Sequence, residues 1–351
     1  FMLVLAVALF AASQYFSPII LRDIIESPQV YGATVDYLHW RTYGIFFSFL
    51  CVMFRAYYVG ITQTKILTVN SIVMLLSNVA LNYCLIFGKG GFPAAGIAGA
   101  AIASSVSEAV SLLFFIIYTS MTADKRKYGF RRAFTLRPHL LKGMLSISGW
   151  TMVQSFISVS IWFIFFLAIE HLGERPLAVT NIVRNISALL IMVISAFATT
   201  AGALISNQIG AGEQRCLFKT CGMTLKLTYA ILIPLLIILC LFPEPVLRAF
   251  TDSPSLIAAS VNSVYVMASS TLIMAPSFIL FNAVSGTGNT KAGFIMEMIS
   301  LAVYTAVIYY GIIRLKPDVA LCWFSEHVYG VTLIILAWWY LKSGKWRGKK
   351  V

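Results

Sequence analysis

Charge is what this 351-residue sequence has least of: 11% of its residues are Asp, Glu, Lys or Arg, where a soluble globular chain carries about 25%. Acids are the scarcer half, 13 against 26 Lys and Arg. That shortage excludes an ordinary soluble domain. Motif chemistry is missing too. No HExxH, P-loop or GxSxG occurs, the four histidines are scattered, and the six cysteines (Cys51, Cys84, Cys216, Cys221, Cys240, Cys322) form no CxxC pair. Without those patterns no catalytic residues, metal ligands or cofactor are expected, and the cysteines read as packing residues. An enzyme is not expected. The opening "FMLVLAVALFAASQYF" lacks a basic n-region, so it does not read as a signal peptide.

What the chain has instead is apolar surface: 59% of residues are hydrophobic and the mean hydropathy is +0.86. Runs of about 18 or more apolar residues recur throughout, the signature of membrane-spanning helices. The short alternating segments of a β-barrel are absent from the sequence. Ten spans are expected, near 1–21, 29–58, 66–88, 94–120, 141–170, 177–206, 222–243, 256–284, 292–313 and 319–341. The fold class is therefore an all-α polytopic membrane protein embedded in a lipid bilayer.

The net charge of +13 has a topological rather than a nucleic-acid reading. Seven Lys and Arg crowd into "DKRKYGFRRAFTLRPHLLK" and five into the tail "KSGKWRGKK". Short basic loops stay cytoplasmic. An even number of spans separates the two clusters, so both face inside, and the C-terminus is expected in the cytoplasm. No nucleic-acid partner is expected.

An internal repeat organises the spans. "LRDIIESPQVYGATV" (21–35) and "LRAFTDSPSLIAASV" (247–261) align at a constant offset of 226, which also pairs "GITQTK" with "GTGNTK". Near the ends the offset becomes 218, pairing "SEAVSLLFFII" (107–117) with "SEHVYGVTLII" (325–335). Shared loop residues are not produced by hydrophobicity alone. Six helices per repeat give the halves one orientation, a parallel pseudo-symmetric pair of bundles of the kind found in secondary transporters. The expected division is 1–120 for a first lobe, 121–137 for a basic cytoplasmic linker, 138–342 for a second lobe and 343–351 for a basic tail. The alignment puts Phe1 opposite Leu227, so the first lobe is expected to lack the counterpart of two spans of a 6+6 design.

On "SNVALNYCLIFGKGGFPAAGIAGAAIASSVSE" (77–108), "AVTNIVRNI" (178–186), "SNQIGAG" (206–212) and "SGTGNTK" (285–291), in this order and spacing, the sequence resembles the multidrug and toxic compound extrusion (MATE) family of the MOP flippase superfamily. The resemblance implies a V-shaped pair of six-helix lobes. It implies a monomer in the bacterial inner membrane that exports drugs or other amphipathic organic cations by alternating access, in antiport with H⁺ or Na⁺. It leaves a lipid-linked precursor flippase and an inactive truncated fragment as alternatives. An intramembrane enzyme is ranked below both.

Coupling needs a group whose occupancy differs between two states. Asn78 and Asn82 lie four apart on one helix face, as do Ser104 and Glu108. In archaeal relatives an "N-x-x-x-D" and a hydroxyl on the next helix build a cation site. Here Asn78 and Ser104 match, and Asn82 replaces the acid. Glu108 is the candidate to make up that loss, because an ionisable group inside a span is a functional candidate; a structural glutamate bonded to Ser104 or a neighbouring helix is the alternative. Glu326 is its repeat partner. Glu297, near the cytoplasmic end of its helix, is expected to be a wetted, snorkelling carboxylate. Asp36, His39 and Arg41 are assigned interfacial hydrogen bonding.

Asn181, Arg184 and Asn185 fall on one stripe and are expected to line a wet substrate cavity, with Gln154 and Phe156 as further candidates. Arg184 is read either as one half of an ion pair or as a group repelling cations. Many relatives place acids on the seventh and tenth helices; this chain has Ser158 or Val159, and Met274, so a second-lobe cation site of that type is not expected. Gly96 and Gly99 are assigned to close helix packing, and Pro234 and Pro276 to kinks.

Overall fold

The structure, a computed structural model, describes residues 2–24, 28–122, 138–344 and 346. The basic linker and most of the basic tail lie outside the described residues. The chain divides into two compact units, Phe1–Thr135 and Leu136–Val351. In the first are α1 (Met2–Ile24), α2 (Pro28–Arg41), α3 (Gly44–Gly60), α4 (Lys65–Phe87) and α5 (Gly96–Thr122). In the second are α6 (Pro138–Glu170), α7 (Glu174–Gly210), α8 (Leu217–Leu241), α9 (Pro243–Arg248), α10 (Pro254–Gly286), α11 (Thr290–Val307), α12 (Val319–Cys322) and α13 (Phe324–Ser343). A π-helical stretch, Ile308–Arg314, extends α11. No strand occurs among the described residues.

These sequences form helices because hydrocarbon offers the backbone no hydrogen-bond partners, so each segment must satisfy its own. Among the described residues, nine helices are long and apolar enough to cross a membrane, ten when the bent α2–α3 pair counts as one. Their apolar faces point outward. Only 6% of the apolar stretch of α4 is buried, and Leu75, Leu76 and Val79 stay 58–64% exposed. In water such a surface would aggregate; in a bilayer it is the solvated face. Ends are set locally. Gly88 closes α4 at φ +67°, and the Asp318 carboxylate caps α12 by accepting from the Val319 N–H at 2.8 Å.

The span expected over 29–58 is not one helix. It bends by 45° between α2 and α3, where "HWRTYG" interrupts the apolar run. The carbonyls freed by the break are taken up by side chains. The Ser105 hydroxyl donates to Trp40 O at 3.0 Å, while Gln14 Nε2 and the Thr42 hydroxyl donate to His39 O at 3.2 and 3.0 Å. A broken span is stable only where such partners exist.

Packing relies on glycine at close approaches. A Cβ on Gly99 would collide with the Leu85 backbone, so α5 meets the end of α4 there. Gly96, expected to pack likewise, has open space; its φ of +52° explains the glycine instead. In the second unit α7 and α10 pack along their lengths, and Gly202 and Gly286 bring their backbones together. Pro234 and Pro276 sit inside continuous α8 and α10.

Candidate functional site

In the first unit the polar residues of α4 and α5 form a seam. Asn78 Nδ2 donates to the hydroxyls of Ser107 (3.2 Å) and Ser104 (3.5 Å), and Asn82 Nδ2 donates to Asn78 Oδ1 at 2.9 Å. The Ser107 hydroxyl in turn donates to Ser104 O at 2.8 Å. Asn82 Oδ1 is buried with no partner among the described residues. Asn78, Asn82 and Ser104 are thus brought together, as helical spacing predicts, with Ser107 added. One further layer holds Asn70, fully buried, whose Nδ2 donates to the Ser111 hydroxyl at 2.8 Å.

Glu108 is on another face of α5. Its carboxylate receives both prongs of the Arg41 guanidinium, Nη2 on Oε1 at 2.7 Å and Nη1 on Oε2 at 3.1 Å. A bidentate pair of this kind is among the strongest charge-assisted contacts. It is also the ion pair at the α2–α3 bend, and Gly44 lies beneath it: a Cβ there would collide with Arg41 Nη1 and Glu108 Oε2. Of the two sequence readings, the geometry matches a carboxylate held by a neighbouring helix. Ser104, though one turn away, is not its partner; it bonds to Asn78.

In the second unit α6, α7, α10, α11 and α13 line a half-open cavity of about 240 Å³. Two carboxyls line it. Glu297 on α11 is 3% exposed, not the wetted carboxylate expected from its position. Its Oε1 accepts from the Tyr329 hydroxyl at 2.8 Å and the Ser158 hydroxyl at 2.9 Å. Glu326 on α13 accepts from the Tyr304 hydroxyl at 2.8 Å. Ser158, Val159 and Met274, where acids were sought and not found, line the same cavity. The acids enter it from α11 and α13 instead.

Periodicity held an unused signal. Glu297, Leu301 and Tyr304 fall on one stripe of α11, and Glu326 and Tyr329 on one stripe of α13. The repeat offset of 226 also pairs Tyr304 with Asn78, so each unit places a hydrogen-bonding side chain at that position. His327, adjacent to Glu326, faces elsewhere and meets the Ser269 hydroxyl at 2.9 Å.

The substrate-cavity candidates scatter. Arg184 lies over the rings of Phe166 (5.1 Å) and Trp162 (5.9 Å), a cation–π arrangement rather than the ion pair considered. Asn181 is half-buried and Asn185 exposed, so they do not share one environment. Gln154 is half-buried, its carbonyl accepting from the Ser158 hydroxyl at 2.9 Å. Phe156 is 75% exposed. Asp36 and His39 border a separate cavity of about 250 Å³ between α1 and α2, where His39 Nδ1 bonds to Gln14 Oε1 at 3.1 Å.

Comparison with known proteins places this geometry. The sequence profile of the family described as MatE matches residues 1–84 and 151–310. A probable multidrug resistance protein NorM of Thermotoga maritima is 26% identical over 78% of this chain and 59% of its own. The uncharacterised transporter YisQ of Bacillus subtilis is 24% identical over 73% of this chain and 56% of its own. The chain thus spans less than two thirds of the length of these relatives. Among solved structures, a MOP superfamily transporter from Pyrococcus furiosus superposes with a TM-score of 0.84 at 16% identity, covering 97% of this chain and 77% of that one. The Vibrio cholerae MATE transporter VcmN in its bent form gives 0.80 at 12% identity, covering 97% and 77%. At such identities these likenesses speak for the fold alone.

Proposed function

The chain belongs to the MatE family, a family of membrane transporters, and from that premise we propose that it exports amphipathic, cationic small molecules in antiport with H⁺ or Na⁺ by alternating access. The observation that carries the proposal is the pairing of buried polar chemistry with lipid-facing walls. Each unit, outwardly solvated by hydrocarbon, keeps an interior polar cluster able to exchange a small cation. In the first unit it is the Asn78–Asn82–Ser104–Ser107 seam, with the Asn82 carbonyl oxygen unspent. In the second it is the Glu297–Glu326 cavity. Intramembrane polar groups are costly and are retained where they handle ions or substrates.

Of the two parts its sequence position allows, Glu108 takes the structural one in this reading. Pinned by Arg41, it holds the α2–α3 bend and positions α5, while Asn78, Asn82 and Ser104 supply the polar face. The names of the relatives, multidrug resistance proteins among them, support a drug exporter.

The test is transport by the protein reconstituted in proteoliposomes loaded with a fluorescent organic cation. A proton gradient and a sodium gradient are imposed separately. Accelerated dye efflux under at least one gradient, lost when that gradient is collapsed, is the expected result. Efflux that ignores both gradients overturns the proposal.

A further inference from the structure

The cavity of the second unit carries a more specific assignment. Glu297 there is buried to 3% exposure with one oxygen satisfied and the other not: Oε1 receives two hydroxyl contacts, and Oε2 has no partner among the described residues. Much of the surrounding lining is apolar, Met274, Phe278 and Leu301 among it. Resting on the transport reading above, we propose that Glu297 is a proton-binding site of the exchange cycle, with Ser158 and Tyr329 positioning it.

The argument is an accounting of hydroxyl protons. The Ser158 hydroxyl owns one proton but has two acceptors at 2.9 Å, Gln154 O and Glu297 Oε1. When Glu297 is a carboxylate, Ser158 and Tyr329 both donate to Oε1, and the charge on Oε2 is bare. When Glu297 is a neutral acid, it donates to the Ser158 oxygen while Ser158 donates to Gln154 O, and no bare charge remains. The same heavy-atom positions therefore serve two protonation states. A buried charged atom without a donor is far costlier than a neutral one. The carboxylate needs donors from outside the protein, and Oε2 is closed off from solvent here, so water in the adjoining 240 Å³ space reaches it only when the cavity widens. Loading transfers a proton from hydronium to the carboxylate and leaves water. Unloading returns it to water entering the cavity. Protonation is thereby tied to whether the cavity is open to solvent, which is what coupling requires.

A metal cation fits less well, since it needs a shell of oxygen ligands and the cavity lining is mostly apolar. The other groups around Glu297 are accounted for. On α13 they are Glu326, itself bonded to Tyr304, and Tyr329; on α11, Tyr304; on α6, Ser158; from α10, only apolar side chains reach the cavity. Arg184 of α7 lies over the ring of the lining residue Trp162, 5.9 Å from its centroid.

The test reads the carboxyl directly. Infrared spectra of the purified protein, titrated in H₂O and D₂O, are expected to show a protonated-carboxyl carbonyl band that titrates with pH and shifts on deuteration. Glu297→Gln should abolish that band, while Glu108→Gln should leave it in place. Ser158→Ala, a milder change that covers the case of a misfolded Glu297→Gln, should move it to higher frequency by removing the acceptor of the acid's own O–H. A band that survives Glu297→Gln, that Ser158→Ala leaves unmoved, or that sodium removes at constant pH overturns the assignment. The spectra need no transport. A band with these properties in a protein that moves no dye would sink the antiport reading and keep the site, and gradient-driven efflux without the band would do the reverse.

Discussion

The Arg41–Glu108 pair should be asymmetric, and the asymmetry can be worked from its surroundings. The carboxylate side chain is 13% exposed and the guanidinium 34%. Arg41→Gln leaves a buried carboxylate with its main donors gone. Ser105, beside it, already donates to Trp40 O and cannot compensate. Removing one partner of a buried pair costs about 3–5 kcal/mol, and at 13% exposure most of that applies. Glu108→Gln leaves a long, partly exposed cation that can swing outward on its alkyl stem, and the new amide oxygen still accepts one of its hydrogen bonds. The loss is then nearer that of one charge-assisted bond weakened to a neutral one, about 1–2 kcal/mol. In the double variant two amides can bond to each other, so the cost should fall below the sum by about 2 kcal/mol. The assay is equilibrium unfolding of the purified protein in mixed micelles, run as a double-mutant cycle. Single variants of equal cost, with a strictly additive double, would refute the account of Glu108 as a carboxylate held by Arg41 at a helix bend. Proton-driven efflux abolished by Glu108→Gln, with stability untouched, would restore it as a proton carrier.

Two further outcomes follow from the same packing. Gly44→Ala should destabilise the first unit by about 1–3 kcal/mol, because the methyl forces apart the guanidinium and carboxylate above it; the penalty should shrink when Arg41 and Glu108 are both glutamine, and a full penalty in that background would contradict the contact. Asn78→Ala breaks the α4–α5 seam at its centre, removing the donor to Ser107 and the acceptor of Asn82. Interhelical hydrogen bonds within membranes average about 0.6 kcal/mol and reach about 1.7, so a loss near 1 kcal/mol is expected in the same unfolding assay, together with slower dye efflux. Unchanged efflux would remove the seam from the transport machinery.

Much of the architecture was legible in the linear chain. Apolar run length set the spans within a few residues, because hydrocarbon thickness dictates helix length. Four-residue spacing placed Asn78 with Asn82. It also allowed Ser104 and Glu108 a common face, and there the inference overreached: α5 is shared by two neighbours, so Ser104 serves α4 while Glu108 serves α2. The break at "HWRTYG" was readable as polar residues in a span but not as a bend, since the bend exists only where Ser105 and Gln14 reach the freed carbonyls. Glu297 was misread as wetted because distance along a helix does not tell what packs beside it.

Sequence alone determined the solvent, the number of spans and the repeat, all properties carried by composition, run length and offset. Tertiary structure decided what each rare carboxyl is. Glu108 meets Arg41 across 67 positions and Glu297 meets Ser158 across 139. The chemistry of a buried acid depends on which donor stands across the helix interface, and no local pattern in the chain records that neighbour.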